Sequence, residues 1–336
     1  MTKLPRVFLI VVCLFLGSCK SDFNINAPHQ DVYALNCILR NDTSIQYATI
    51  SKNYFTENGA PPPSSTVVPN VKGATIQIFN NDSVFVMRDT TVELTESGTV
   101  VRVDCYYLRN LTVNPGGMIS IEAALPDGQV LKSSIRVPVT KFAPSNFPLI
   151  SYTKSEAGAY VRYPSYIWLF RSGDFGPEMK NILSRPQLEI DFVINEGGSY
   201  VSSSTLVPLA NVLYTDMNGI LLSPVAGFSL DYTACTSLET VNKTMQEISG
   251  GDPYKNNYII TRVFFNITSM DPELTKYYFA NEVWLNSATI KLRPTDYSNV
   301  EGGRGIFGLW YKSSNVLGVD PAYISSFGYQ YDPSMH

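Results

Sequence analysis

The chain has 336 residues, of which 44% are hydrophobic, 12% aromatic and 16% charged, and its formal net charge is -4. Its two histidines are His29 and His336, so a Ser-His-Asp triad or a histidine-ligated zinc site inside the fold is not expected. The negative charge argues against a nucleic-acid partner, which typically requires a basic stripe, and the length predicts about two domains.

The N-terminus has the pattern of an export signal. Lys3 and Arg6 precede an apolar run over residues 7–16, which is too short for a membrane-spanning helix of ~20 residues but is typical of a signal peptide. Leu16-Gly17-Ser18-Cys19 resembles the lipobox of bacterial lipoproteins, in which the cysteine thiol is acylated. We predict a lipoprotein signal peptide over residues 1–18, lipidation of Cys19 and a lipidated tether over 19–30. An ordinary signal peptide with a coincidental cysteine is the alternative.

The segment 31–140 is predicted to form strands. Apolar and polar residues alternate over residues 33–39, 47–51, 73–81, 100–108 and 118–125, which is typical of half-buried strands. Pro126-Asp127-Gly128 predicts a turn with a positive φ at the glycine, and residues 130–137 then return as the second arm of a hairpin. The short, regularly spaced strands favour an immunoglobulin-like or transthyretin-like β-sandwich.

Prolines punctuate residues 138–148, and we predict a linker over 141–155 followed by a second β-rich domain over 156–336. Strands are expected over residues 188–193 and 258–267. Asp271 as N-cap, Pro272 in the first turn and Glu273 after it predict a helix near 271–286. A second short helix is predicted over residues 237–248. The predicted fold class is therefore mainly β, with one or two short helices in the second domain.

After removal of the leader and lipidation of Cys19, three cysteines remain: Cys37, Cys105 and Cys235. An odd number does not form a complete disulfide framework, and no CxxC pair indicates a metal or redox site. Cys37 and Cys105 are expected to be small buried hydrophobes. A disulfide between these two in an oxidising compartment is the alternative.

Residues 303–308 match the G-x-G-x-x-G pattern of dinucleotide-binding proteins. That function needs a strand before the glycines and a helix after them, whereas residues 306–311 are strand-like. The glycines are instead expected to permit a positive φ or a close backbone approach at a turn that leads into a late strand. Glu301, beside these glycines, is a candidate ligand-binding carboxylate, and hydrogen bonding to turn amides is its alternative role.

Aromatic side chains are dense over residues 160–170. Tyr166 and Trp168 are candidates for stacking against a sugar ligand, although such a run is also typical of a strand inside a sandwich. The acidic residues show no spacing that identifies a catalytic carboxylate pair, so neither catalytic residues nor cofactors nor metal ligands are predicted.

The segment Asn299–Gly308 (NVEGGRGIFG) resembles the signature N-[IV]-E-G-G-x-G-I-F-G of a family of Bacteroidetes outer-membrane lipoproteins of unknown function. Residues 267–278, with a strand, a helix and a Tyr pair, are also similar to that family. Genes of the family often lie beside those of TonB-dependent outer-membrane receptors. The resemblance implies an outer-membrane lipoprotein, on the cell surface or on the periplasmic face, but implies no catalytic residues.

Three functions follow as hypotheses. The first is a non-enzymatic accessory lipoprotein of a TonB-dependent uptake system, which binds the receptor or a glycan or peptide ligand. The second is a fimbrial or adhesin subunit, since such lipoproteins assemble by exchanging strands. The third is a surface glycan hydrolase.

Overall fold

The computed structural model describes residues 32–52, 70–96, 99–139, 152–154, 160–162, 166–171, 181–216, 219–225, 227–230, 233–282 and 297–332. Within these residues the chain is mainly β, as predicted. The predicted signal peptide, Cys19 and the tether lie outside the described residues, as does most of the predicted linker.

The N-terminal half forms the predicted β-sandwich. Its described strands are β1 (Tyr33–Arg40), β2 (Ile45–Lys52), β3 (Thr75–Asn80), β4 (Ser83–Val86), β5 (Arg88–Glu96), β6 (Thr99–Arg109), β7 (Met118–Ala124) and β8 (Val130–Arg136). They form two sheets with the orders β1-β2-β6-β5 and β4-β3-β7-β8. Because side chains alternate along a strand, Leu35 and Leu39 of β1 and Ile119 and Ile121 of β7 all point into one shared cluster, which we call the first core.

The predicted turn between β7 and β8 is confirmed. Gly128 has a φ of 91°, a backbone conformation that a side chain would strain. The Asp127 carboxylate accepts a hydrogen bond from the Tyr33 hydroxyl at 2.6 Å, and that bond ties the turn to the start of β1. The hairpin is therefore held against the first strand of the sandwich.

The C-terminal half combines strands with short helices. Its described strands are β9 (Tyr152–Lys154), β10 (Tyr160–Arg162), β11 (Tyr166–Arg171), β12 (Ser184–Glu196), β13 (Ser199–Val207), β14 (Ala210–Asp216), β15 (Gly219–Pro224), β16 (Thr233–Ser237), β17 (Tyr258–Met270), β18 (Arg304–Leu317) and β19 (Gln330–Tyr331). The helices among the described residues are α1 (Leu238–Glu247), α2 (Pro272–Glu282) and α3 (Pro321–Ser325). Leu188, Phe265 and Met245 belong to a separate cluster, the second core.

Both predicted helices are present, and their first turns are capped by side chains. The Ser237 hydroxyl accepts a hydrogen bond from the Thr240 amide at 3.0 Å at the start of α1. Asp271 caps α2, because its carboxylate accepts from the Glu273 amide at 2.8 Å. The third helix, α3, has a Pro immediately after its N-cap Asp320 and was not predicted.

The largest sheet runs through both halves of the chain in the order β13-β12-β17-β18-β1-β2-β6-β5, with β19 beside β17. The join is a parallel pairing of β1 with β18, in which Leu35 is opposite Gly305 and Leu39 is opposite Leu309. Phe307 and Leu309 of β18 complete the first core, whereas Leu317 at the end of the same strand belongs to the second core. The late strand β18 therefore belongs to both cores.

Helix α2 covers the opposite face of this sheet at the join. Leu274 of the helix packs with Met270 of β17, Ile306 of β18 and Leu183 in a third apolar cluster. Gly308 lies directly beneath the helix, where a Cβ atom would stand 2.9 Å from that of Leu274. The glycine thus allows the helix to lie close to the sheet.

Candidate functional site

The Asn299–Gly308 segment crosses from an edge strand of one sheet to the centre of the other. Glu301 pairs with Lys132 of β8 through both backbone groups, at 2.7 Å and 3.0 Å. The Asn299 side chain then bonds to the backbone N–H and C=O of Phe307, at 2.9 Å and 2.7 Å, and so closes the segment on itself. These bonds fix the entry of the chain into β18.

Two positions of this segment require glycine, because neighbouring backbone atoms leave no room for a Cβ atom. A Cβ on Gly302 would collide with the carbonyl oxygen of Val130, and a Cβ on Gly305 with that of Leu35. Both residues also have positive φ angles, 77° and 116°. The predictions of positive φ and close backbone approach are confirmed, and the glycine spacing that resembles a nucleotide-binding loop leads here into a strand.

The candidate residues from sequence lie on different sheets. The Glu301 backbone extends the β4-β3-β7-β8 sheet and its side chain is exposed. Tyr166 and Trp168 lie in β11, opposite Ser237 and Cys235 of β16. The structure therefore does not bring the three together, and a ligand role for any of them stays a prediction. Cys19 lies outside the described residues.

Cys37 and Cys105 are free buried cysteines, so the alternative of a disulfide between them is wrong for this structure. Strand β2 separates their strands, which places β1 and β6 about 10 Å apart, whereas bridged cysteines have Cα atoms within about 7 Å. Cys37 points into the first core, but Cys105 precedes Tyr106, a first-core residue, and points to the other face. Because the Cys37 thiol is buried in the first core, its pKa is raised to about 12.

Asp271 is the most deeply buried carboxyl group among the described residues, and its position was predicted only as a helix cap. One carboxylate oxygen accepts from the Glu273 and Leu274 amides, and the other accepts from the Leu309 amide of β18 at 2.6 Å. Burial raises the pKa of Asp271 to about 6 although these three N–H donors oppose the shift. The carboxyl group fastens α2 to β18, so its role is in the structure of the join.

A polar groove lies on the face of the large sheet that carries Glu189 and Asp191. It is lined by residues of three neighbouring strands: Glu189, Asp191, Phe192, Val193, Ser202, Ser203, Ser204, Thr261 and Arg262. The Glu189 carboxylate accepts from the Ser204 hydroxyl and from the Asn266 amide, both at 2.8 Å. Burial and the neighbouring Glu189 charge raise the pKa of Asp191.

No sequence pattern singles out this groove. The predicted alternation over residues 188–191 places Glu189 and Asp191 on one face of β12 and Leu188 and Ile190 on the other. The Ser residues of β13 and Arg262 of β17 join them only through strand pairing, with Ser204 and Arg262 both opposite Asp191. Carboxylates, hydroxyls and a guanidinium side by side can hydrogen-bond to a polar ligand such as a sugar or a peptide backbone.

In the described part of the chain, the helices are all too short, or too polar, to cross a bilayer. The His, Cys, Asp and Glu side chains of the same part form no group of three or more that could hold a metal ion.

Comparison with protein-family models gives no match for this sequence, and comparison with curated proteins finds no similar one.

Proposed function

We propose that the protein is a non-enzymatic outer-membrane lipoprotein that assists a TonB-dependent uptake system by binding its substrate or its receptor. The observation that carries the proposal is the leader, in which an apolar run ends in Leu16-Gly17-Ser18-Cys19. The resemblance of Asn299–Gly308 to a family of such lipoproteins supports the same function.

The start of the fold suits a lipid anchor at Cys19. Strand β1 begins at Tyr33, 14 residues after Cys19, so an extended tether would reach about 45–50 Å. Tyr33 lies at the end of the sandwich that also carries the Asp127 turn and Gly303.

The groove at Glu189 and Asp191 is the proposed ligand surface. Its carboxylates, hydroxyls and Arg262 present donors and acceptors together on a rigid sheet, as in sites that orient polar ligands. We expect Asp191→Asn to weaken binding to a glycan array or a peptide library at least tenfold. The matched control is Glu93→Gln on β5, an exposed carboxylate on another strand of the same sheet. Equal binding by both variants would remove the groove from the proposal.

Lipid anchoring is tested by Cys19→Ala. We expect this variant to leave the membrane fraction, because no acyl chain can then be attached to the mature chain. Cys13→Ala alters the other cysteine of the leader and is the matched control, with membrane attachment retained. Membrane retention of the Cys19→Ala protein would rule out the lipid anchor.

The partner is tested by affinity capture of the lipidated protein from detergent-solubilised membranes. The uptake proposal expects co-purification of a large β-barrel receptor. Recovery of SDS-resistant ladders of the protein itself, without a barrel, would replace the proposal with a fimbrial subunit.

The fimbrial alternative would require release of β1. This strand is the first described strand, lies between β18 and β2, and ends at Arg40, whose side chain is 49% exposed and ion-paired with Asp42. Proteolysis after Arg40 would release β1 and open a strand-shaped gap that another subunit's strand could fill. Arg40→Ala should then abolish the ladders, whereas it should leave receptor capture unchanged if the uptake proposal holds.

A further inference from the structure

Strand β13 is an exposed edge of the largest sheet. It pairs with β12 on one side, and none of the described strands pairs with its other side. Along its nine residues only the last, Val207, is buried, and Tyr200 and Leu206 are 65% and 52% exposed. The backbone of this edge is therefore presented to another strand.

The edge lacks the features that normally prevent strand pairing. Its sequence, SYVSSSTLV, contains neither a charged residue nor a proline. The opposite edge of the same sheet, β5, carries Arg88, Asp89, Glu93 and Glu96. Natural proteins protect long edge strands with charges, so the unprotected edge at β13 is the one suited to association.

The sequence of β13 is self-complementary about Ser203. In an antiparallel pair of two copies centred there, Ser203 is opposite itself and Ser202 is opposite Ser204. Val201 is then opposite Thr205, which pairs two β-branched side chains, and Tyr200 is opposite Leu206, which pairs an aromatic ring with an aliphatic side chain. The Ser203 pair lies on the axis and occurs once, and each of the other pairs occurs twice, as a two-fold interface requires.

We propose that two copies of this chain associate by antiparallel pairing of their β13 strands, centred on Ser203. The pairing buries the two exposed Tyr200–Leu206 pairs and satisfies the edge N–H and C=O groups of both copies. It also continues the face that carries Glu189 and Asp191 from one copy into the other, so that the polar grooves of the two copies become adjacent. The inference goes beyond the proposed function and does not depend on it.

Charge does not oppose this pairing. The nearest acidic residues on that face, Glu189 and Asp191, lie on β12, one strand behind the edge. Three strand spacings separate the two β12 strands across the interface, about 14 Å. This exceeds the screening length of about 8 Å at physiological ionic strength.

The register is tested by cysteine cross-linking of the purified full chain. Ser203→Cys places two thiols opposite each other across the two-fold axis, and mild oxidation is expected to give a dimer on a non-reducing gel. Val201→Cys alone is the matched control, with a yield at least tenfold lower, whereas a mixture of Val201→Cys and Thr205→Cys proteins should cross-link. The native Cys37, Cys105 and Cys235 are buried. Equal yields from Ser203→Cys and Val201→Cys alone would overturn the proposed register.

Association is tested by sedimentation velocity of the purified full chain. Ser203→Lys and Ser203→Asp each oppose like charges at the axis and should weaken dimerisation at least tenfold, while an equimolar mixture of the two should restore it. Ser203 is exposed, so both variants are expected to melt at the wild-type temperature. A wild-type protein that stays monomeric up to about 100 μM, or a mixture that stays monomeric, would refute the proposal.

Discussion

Among the described glycines, Gly305 is the one at which backbone packing leaves the least room. Its φ of 116° lies outside the conformations that a residue with a Cβ adopts readily, and the Leu35 carbonyl oxygen occupies the space where that Cβ would stand. Leu35 cannot move away, because its side chain is completely buried in the first core. The close approach of β18 to β1 therefore depends on glycine at this position.

We expect Gly305→Ala to lower the free energy of unfolding by about 3 kcal/mol or more, from backbone strain and the collision with Leu35 together. Urea denaturation measures the change. Gly128→Ala is the control: its φ is also positive, 91°, but a Cβ there meets nothing within 4 Å. The free energy of unfolding of this control should fall by about 1–2 kcal/mol, from backbone strain alone. Equal losses in both variants would show that the approach of β18 to Leu35 is not tight.

Asp271 is expected to make stability depend on pH. Its pKa in the folded chain is about 6, above the value of about 3.9 in an unfolded chain, so the folded state favours the protonated form. Protonated Asp271 contributes its full stabilisation of the fold below about pH 4, and this contribution is lost as the pH rises through 6. The free energy of unfolding should fall by about 3 kcal/mol over that range.

Urea unfolding of the wild type and of Asp271→Asn at several values between pH 4 and pH 7 tests this dependence. The stability of the wild type relative to the variant should fall as the pH rises over that window, since Asn does not titrate. A difference that stays constant across the window would show that the Asp271 pKa is not raised.

At the scale of elements, β18 is the strand whose two ends serve different cores. Phe307 is completely buried in the first core, and Leu317 is buried in the second. We expect Phe307→Ala to lower the free energy of unfolding by about 3–5 kcal/mol, and Leu317→Ala to lower it by about 2–5 kcal/mol. Because one strand connects both cores, both variants should lower the midpoint of one shared unfolding transition. Calorimetry in which only one of two separate transitions moves would contradict this coupling.

Several elements could be predicted from local sequence because their signals are local. The β7–β8 hairpin follows from two alternating segments around Gly128, and α2 follows from Asp271 and Pro272. The position of β18 in the sheet could not be predicted, since its partner β1 is about 270 residues earlier in the chain. No local pattern records which distant strand a strand joins. The same limit applies to the polar groove, whose side chains come from three strands.

At the scale of the whole molecule, the N-terminal sandwich is incomplete without the end of the chain. Val300, Phe307 and Leu309 belong to the first core, and β18 supplies the sheet neighbour of β1. The predicted division into a 31–140 domain and a 156–336 domain therefore has a direct test in the isolated N-terminal segment.

We expect a fragment of residues 31–140 to be largely unfolded, because its core lacks these three side chains and one edge of β1 is unpaired. A peptide of residues 297–317 should restore its fold, as observed by the dispersion of its NMR spectrum. The same peptide with Phe307→Ala is the control and should restore much less. A fragment that is well folded without any peptide would establish an independent N-terminal domain.

Composition and alternation determined the fold class, most strand positions of the N-terminal half and both predicted helices, because each depends on residues close together in the sequence. The leader motif is likewise local, and the lipid anchor at Cys19 that it suggests remains a proposal. The tertiary structure decided the rest: the parallel β1–β18 join, the need for glycine at 302 and 305, the separation of Cys37 from Cys105, and the exposed edge at β13. These features depend on which strands become neighbours, and strand pairing is set by burial of side chains from the whole chain at once.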